Sequence, residues 1–274
     1  MGALPEVKVL TSRDNPLLVR LRKLTADPSA YRKFGEVWID GEHLCAAFVQ
    51  RGGRASQAVV TEAGWETPAL RRLASQAASV AVVPAGLMAG LSALESPPAL
   101  CFTLPWPGAG ELDPHAPSVV LDRVQDAGNV GNILRSASAF GFTQVVALKG
   151  TAALWSAKVL RAGMGAHFAL RLVEVENVEA MAGLRVPMFA TSSHASSAIE
   201  RTSLAWPCAW VMGHEGQGVS SPMAQRCVES LRIPQPGGEE SLNVAAAAAV
   251  CLYESARQRA RIGHDPRLST GPHG

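Results

Sequence analysis

Three short stretches of this chain hold the side chains best suited to chemistry. The first is LDRVQDAGNVGNILRSASAFGF, residues 121–142. An apolar strand ends near Asp122, and a turn with Gly128 leads to Asn129, whose side chain suits a helix N-cap because it can satisfy orphan backbone donors. Gly131 leaves room in the first turn for a ligand or a strand. Arg135 follows six residues after Asn129. It either points past the sheet edge, where α/β proteins place ligands, or is an ordinary surface arginine. The second stretch is AWVMGHEGQGVSSP, residues 209–222. An apolar strand runs into Gly213, His214, Glu215, Gly216, Gln217 and Gly218, so the backbone there is unusual or crowded. Neither GxGxxG nor GxxxxGK[ST] spacing occurs, so this is no phosphate cradle. Glu215 is the carboxylate of the turn, and His214 receives no role. The third is LRIPQPGGEESLNVAAAAAVCLYESARQRAR, residues 231–261. A strand ends at Ile233 and Pro234, and Ser241, Leu242 and Asn243 open a long helix. Ala245–Ala249 favour that helix and let another backbone approach closely.

The elements that position these stretches alternate between strand and helix. Helices are expected at 16–24 and 42–51, with further helical patterns near 67–78 and 86–94. Strands are expected at 37–40, 58–61, 80–83 and 100–104. The segment PWPGAGELDPHAPS, residues 105–118, carries four prolines and two glycines and reads as a linker. The alternation then restarts. Strands are expected at 118–121, 144–148, 168–173, 187–191, 209–212 and 228–233, and helices near 129–140, 154–164, 177–183, 222–227 and 242–261. This is an α/β signature. It divides the chain into a first domain over 1–105, a linker over 106–117, a second domain over 118–262 and a disordered tail over 263–274.

Composition narrows the class. The chain has 274 residues, 47% hydrophobic and 18% charged, enough for two cores. No run of 18 apolar residues lacks a charge or a breaker, which argues against a membrane span. No apolar segment of signal length opens the chain, so a cytoplasmic protein is expected. The five cysteines are scattered and never form CxxC, which disfavours a disulfide framework and a zinc site alike. Net charge is +2. Residues 1–35, however, hold seven Lys or Arg against three acids, a local +4. Such a segment either attracts a phosphate backbone or is a solvated helix face.

Taken in order, N-x-G-x-x-x-R, strand–GxEGxG and IPxxGxxxSLNV resemble the three motifs of the SpoU/TrmH branch of SPOUT RNA methyltransferases. The resemblance spans about residues 121–254 and includes KVLRAGMGAHFAL at 158–170. The stretch LTSRDNP at 10–16 and FGEVWIDGEHL at 34–44 is similar, more loosely, to the family's RNA-binding extension. The resemblance implies an α/β trefoil-knot methyltransferase domain preceded by a smaller α/β RNA-binding domain. It implies S-adenosyl-L-methionine as cofactor, a homodimer with the active site at the subunit interface, and no metal. Asn129, Arg135, Glu215, Ser241 and Asn243 fall on its polar motif positions, and Gly213, Ile233 and Leu242 on its cofactor-contacting ones. Asn132 and Ala245 depart from the pattern, where the family more often has Ala and Ser.

The reaction implied is methylation of an RNA ribose 2′-hydroxyl, with ribosomal RNA favoured over transfer RNA. A guanidinium holds its proton too tightly to act as a base without a severe shift. Arg135 is therefore expected to orient a phosphate and stabilise the developing alkoxide, while Asn129 and Ser241 hold the ribose or the arginine. The alternatives are a non-catalytic RNA-binding or ribosome-assembly protein on the same fold, and a Rossmann dehydrogenase, which the glycine spacing disfavours.

Overall fold

The computed structural model describes residues 5–237 and 241–263, without the side chains of 262 and 263. The expected tail therefore lies almost wholly outside the described residues. The chain forms two compact units: residues 1–108 with 153–168, and residues 109–152 with 169–274.

The first unit contains β1 (Glu6–Val9), α1 (Pro16–Ala26), α2 (Ala30–Phe34), β2 (Glu36–Asp40) and α3 (Glu42–Gln50). It continues with β3 (Gln57–Thr61), α4 (Glu62–Glu66), α5 (Pro68–Ala74), β4 (Ser79–Val83), α6 (Ala85–Ala89) and β5 (Leu100–Pro105). Its sheet runs β1-β4-β3-β5-β2. β1, β4 and β3 are parallel, and β5 is antiparallel to β3 and β2. α1 starts as a helix should: Asn15 Oδ1 accepts from Leu17 N at 3.0 Å, and Pro16 sits in the first turn. Its Leu18, Leu21 and Leu24 repeat at a spacing of three and are buried.

A second piece of chain, 153–168, which a division at 106–117 places in the other domain, belongs to this unit. α8 (Ala157–Gly163) lies in it. Arg161 Nη1 donates to Asp40 Oδ2 at 2.7 Å, and the buried Asp40 is also held by Trp38. Phe168 meets Phe48 edge-on at 5.1 Å. The strand expected at 168–173 starts later, at Arg171, because Ala166–Ala169 close a 3-10 turn first.

The second unit contains β6 (Ser118–Asp122), α7 (Ala127–Ala139), β7 (Gln144–Leu148), β8 (Arg171–Val175) and β9 (Met188–Thr191). It closes with β10 (Ser197–Ala198), β11 (Ala209–Gly213), α9 (Ser221–Ala224), β12 (Glu229–Arg232) and α10 (Val244–Gly263). All seven strands are parallel, in the order β10-β12-β9-β11-β6-β7-β8. β6, β7 and β11 are buried along their whole length, which explains their unbroken apolar runs. Residues 109–116 are bound into this unit. Glu174 N donates to Ala109 O at 2.7 Å, Asp113 N to Gln144 Oε1 at 2.7 Å and Arg185 N to Pro114 O at 2.8 Å. Gly110, at φ +75°, is needed there because a Cβ would lie 2.1 Å from Leu172 O.

The chain leaves β6 to one side for β7 and β8, then returns to β6's other side as β11. The strand order reverses there, and the crevice beyond the carboxyl ends of such strands is the usual ligand position in open α/β sheets. Gly213 and Asp122, the last residues of β11 and β6, are register partners. The first two motifs thus start side by side.

Candidate active site

Beyond β11 the chain makes a tight turn. His214 N donates to Gly218 O at 3.0 Å and Gly218 N returns a bond to His214 O at 2.8 Å. His214 Nδ1 accepts from Gly216 N and Gln217 N at 3.0 and 3.2 Å, so this histidine shapes the turn. Gly213 is dictated by the same turn. A Cβ there would lie 2.2 Å from Gly218 C and 2.3 Å from Val219 N. Its missing side chain makes room for the protein's own backbone, so a larger residue would disrupt the turn before it filled any ligand space.

The turn presents Glu215 to the first motif. Its Oε2 accepts from Gln125 N at 3.1 Å, and its Oε1 accepts from Asp126 N at 3.0 Å and Asn129 Nδ2 at 3.1 Å. Desolvation pushes this carboxyl up, but the Asp126, Gln125 and Glu215 backbone N–H groups and the Asn129 amide outweigh it. They bring its pKa down to about 2. Such a carboxylate is a poor proton acceptor near neutral pH.

Asn129 is not the N-cap expected from sequence. α7 begins at Ala127, and Asp126 caps it, its Oδ1 accepting from Asn129 N at 2.8 Å. An Asp three residues upstream competes for the cap position and wins, which frees the Asn129 side chain. That amide donates to Glu215 and accepts from Asn243 Nδ2 at 3.0 Å. Asn243 in turn begins α10. Its Oδ1 accepts from Ala245 N at 2.9 Å and Ala246 N at 3.2 Å, so the helix starts at Val244 rather than at residue 242. Glu215, Asn129 and Asn243 therefore form one chain of hydrogen bonds through all three motifs.

Arg135 stands apart. It is exposed on α7 and has no hydrogen-bond partner among the described residues. It lines a groove of about 510 Å³ between α7 and α10 with Asn132, Ser136, Phe140, Ala246 and Asn243. A larger cleft of about 1190 Å³ lies beyond the ends of β9, β11 and β12. Gly213, Glu215, Ile233, Ser241, Leu242 and Asn243 line it, so Asn243 touches both spaces.

Sequence reasoning passed over Asp122. It is buried at the end of β6, accepting from Ser220 N at 2.6 Å and from Arg123 Nε at 3.1 Å. Arg123 adopts φ +63° and also reaches Gln217 Oε1 at 3.2 Å. An acid closing an otherwise apolar strand was the available signal. The five cysteines are free thiols. Burial pushes Cys208 up to about 12 and Cys227 to about 11, so neither offers a nucleophilic thiolate. Among the described residues no group of three His, Cys, Asp or Glu could hold a metal, and no helix is long and apolar enough to cross a membrane.

The model of the SpoU rRNA methylase family matches residues 116–253. An uncharacterized tRNA/rRNA methyltransferase of Synechocystis sp. is 30% identical over 263 residues, 93% of this chain and 95% of that protein. The 23S rRNA (guanosine-2′-O-)-methyltransferase RlmB of Bordetella pertussis is 38% identical over 145 residues, 52% of this chain and 59% of the relative. A crystal structure of an RNA 2′-O ribose methyltransferase aligns with TM-score 0.77 and 28% identity, over 92% of this chain and all of that one. The AdoMet-bound rRNA methyltransferase of Sinorhizobium meliloti aligns with TM-score 0.81 and 25% identity, over 92% and 98%. Fold and site together define an S-adenosylmethionine-dependent methyltransferase of the SPOUT class. The chain belongs to the SpoU rRNA methylase family.

Proposed function

We propose that this protein transfers the methyl group of S-adenosylmethionine to a ribose 2′-hydroxyl of ribosomal RNA, in the cytoplasm and as a homodimer. The observation that carries the reading is the hydrogen-bonded chain Glu215–Asn129–Asn243, set between the cleft and the groove that holds Arg135. The cleft fits the cofactor. It is roomy and has apolar walls at Leu231, Val244 and Ala247, with Leu242, 41% exposed, at its margin. Within it the half-buried Gln235 carries an acceptor, Oε1, with no partner.

Bound there, the sulfonium supplies an electrophilic methyl group. Attack on it is an in-line displacement, so holding the ribose oxygen in place supplies much of the rate. Glu215 fixes the Asn129 amide, and Asn129 fixes Asn243; these three position. The Ser241 hydroxyl, exposed at the cleft, is available to a ribose oxygen. Arg135 supplies a fixed positive charge for the developing alkoxide and for an adjacent phosphate, and the hydroxyl proton passes to phosphate or water.

Three further features support the reading. The groove beside Arg135 is open, and α10 exposes Val250 at 40% and Tyr253 at 55%, an apolar surface that a second copy would cover. In the first unit Arg13, Lys23 and Lys33 are exposed, while Lys8 and Arg20 are paired with Glu6 and Glu36. These exposed cations suit RNA phosphates. Ribosomal RNA is the proposed substrate because the relative RlmB is named for it. Mapping 2′-O-methyl groups in total RNA with and without the gene tests the proposal. One ribosomal site should lose its methyl group, and an unchanged map would refute it.

A further inference from the structure

Arg123 follows the last residue of β6 and takes a left-handed backbone conformation, φ +63°. Among the described residues only one other non-glycine residue, Met164, has a positive φ. A side chain makes that conformation costly, and it persists where the surroundings over-determine it. Glycine would adopt it freely, so the reason for an arginine lies in its side chain. Space is kept for that side chain: a Cβ on Gly150 would lie 3.2 Å from Arg123 Cγ.

The guanidinium joins two elements. Nε donates to Asp122 Oδ1 at 3.1 Å, and Nη1 donates to Gln217 Oε1 at 3.2 Å. Asp122 is buried, and its other oxygen accepts from Ser220 N. The turn after β11 is thus tied to the first motif at three points. Glu215 bonds to residues 125, 126 and 129, Gln217 bonds to Arg123, and Ser220 bonds to Asp122. Between the outer two ties runs Gly216–Gln217–Gly218, which lines the cleft. Its two glycines offer no side chain to hold, so Gln217 is the handle of this stretch. A guanidinium suits the task because its planar fork bonds two partners at once. Arg123 itself is not part of the cleft lining.

Resting on the reading of this cleft as the cofactor site, we propose that Arg123 is a positioning residue. By joining Asp122 to Gln217 it holds Gly216–Gln217–Gly218 as a preformed wall, so that the cofactor does not have to order this stretch on binding.

The test needs no turnover. Binding of S-adenosyl-L-homocysteine is measured by calorimetry for the wild type, Arg123→Lys, Gln217→Ala and the double variant. Arg123→Lys keeps a cation beside Asp122, but a compact ammonium lacks the fork that spans to Gln217. Each single variant should weaken binding by about threefold to tenfold, the scale of ordering one side chain or short turn on binding. The double variant should bind no more weakly than the weaker single, because both remove the same link. In the ligand-free protein, amide hydrogen exchange at Gly216–Gly218 should quicken in both single variants while exchange in β6 and β11 stays as in the wild type. A merely structural role would move the strands as well. Wild-type affinity and exchange in Arg123→Lys, or losses that add in the double variant, would overturn the proposal and leave the cofactor reading intact. A wild type that binds no S-adenosyl-L-homocysteine would overturn both.

Discussion

In the second unit Glu215 lines the cleft, Arg135 lines the groove and Asn243 touches both, and the two charges are in opposite electrostatic situations. The carboxylate accepts from two backbone N–H groups and an amide, and its pKa is held near 2. The guanidinium is exposed and has no partner among the described residues. A saturated charge is fixed and spends its hydrogen-bonding capacity on the protein; an unsatisfied one is available to a ligand. The sequence motifs place both among polar site positions, and only their surroundings separate the group proposed to position from the one proposed to act on substrate.

The contrast is broken most severely at Arg135. Arg135→Ala should slow single-turnover methyl transfer by at least ~10²-fold, the scale for one preorganised electrostatic group. Affinity for S-adenosylmethionine should stay within about twofold, since the sulfonium is itself positive and gains nothing from a nearby cation. Arg135→Lys should recover part of the rate, because a point charge lacks the planar fork. A wild-type rate in Arg135→Ala would make this residue an ordinary surface arginine.

Salt tests the exposed cations of the first unit. RNA affinity should fall steeply as salt rises from about 50 to about 200 mM, with a linear log–log slope. Replacing Arg13, Lys23 and Lys33 together by Ala should flatten that slope and leave cofactor affinity unchanged. An unaltered slope would take these cations out of the account.

Glu215 has a different signature. Its folded pKa, about 2, lies below its ordinary value of 4.5. It therefore contributes stability that is fully present above the unfolded value and lost as pH falls through the folded one. In urea melts the wild type should exceed Glu215→Gln near neutral pH, with the gap closing between about pH 5 and about pH 2. A gap independent of pH would contradict the assignment. The smallest effect is expected at Asn243. Asn243→Ala removes the acceptor for Ala245 N and Ala246 N and should cost about 1 kcal/mol, the scale of a lost helix cap.

Much of this was legible because it rests on runs and spacings. β6, β7 and β11 are buried along five residues each and carry apolar runs such as VVL and VVAL, as parallel central strands do. Motif spacing led to Asn129, Glu215 and Asn243, which the fold bonds together, and to Gly213, Ile233 and Leu242 along one cleft. What escaped depends on contacts distant in sequence. β1 carries EVKV and is exposed throughout, so it lacks the apolar pattern of a buried strand. The placement of 153–168 with the first unit follows from an Arg161–Asp40 pair 121 residues apart. The cap of α7 turned on a local competition between Asp126 and Asn129 that spacing alone left open. The crowding expected around Gly213 has its cause in Gly218 and Val219, whose backbone a Cβ would meet.

The central claim is tested most directly by the product. Purified protein is incubated with ribosomal RNA lacking its own methyl groups and with S-adenosylmethionine labelled in the methyl group. The RNA is then hydrolysed in alkali, which cleaves after every free 2′-hydroxyl. The account predicts label in alkali-resistant dinucleotides that yield a single 2′-O-methylnucleoside, strongly reduced with Arg135→Ala. Label in alkali-sensitive mononucleotides carrying a methylated base would contradict it.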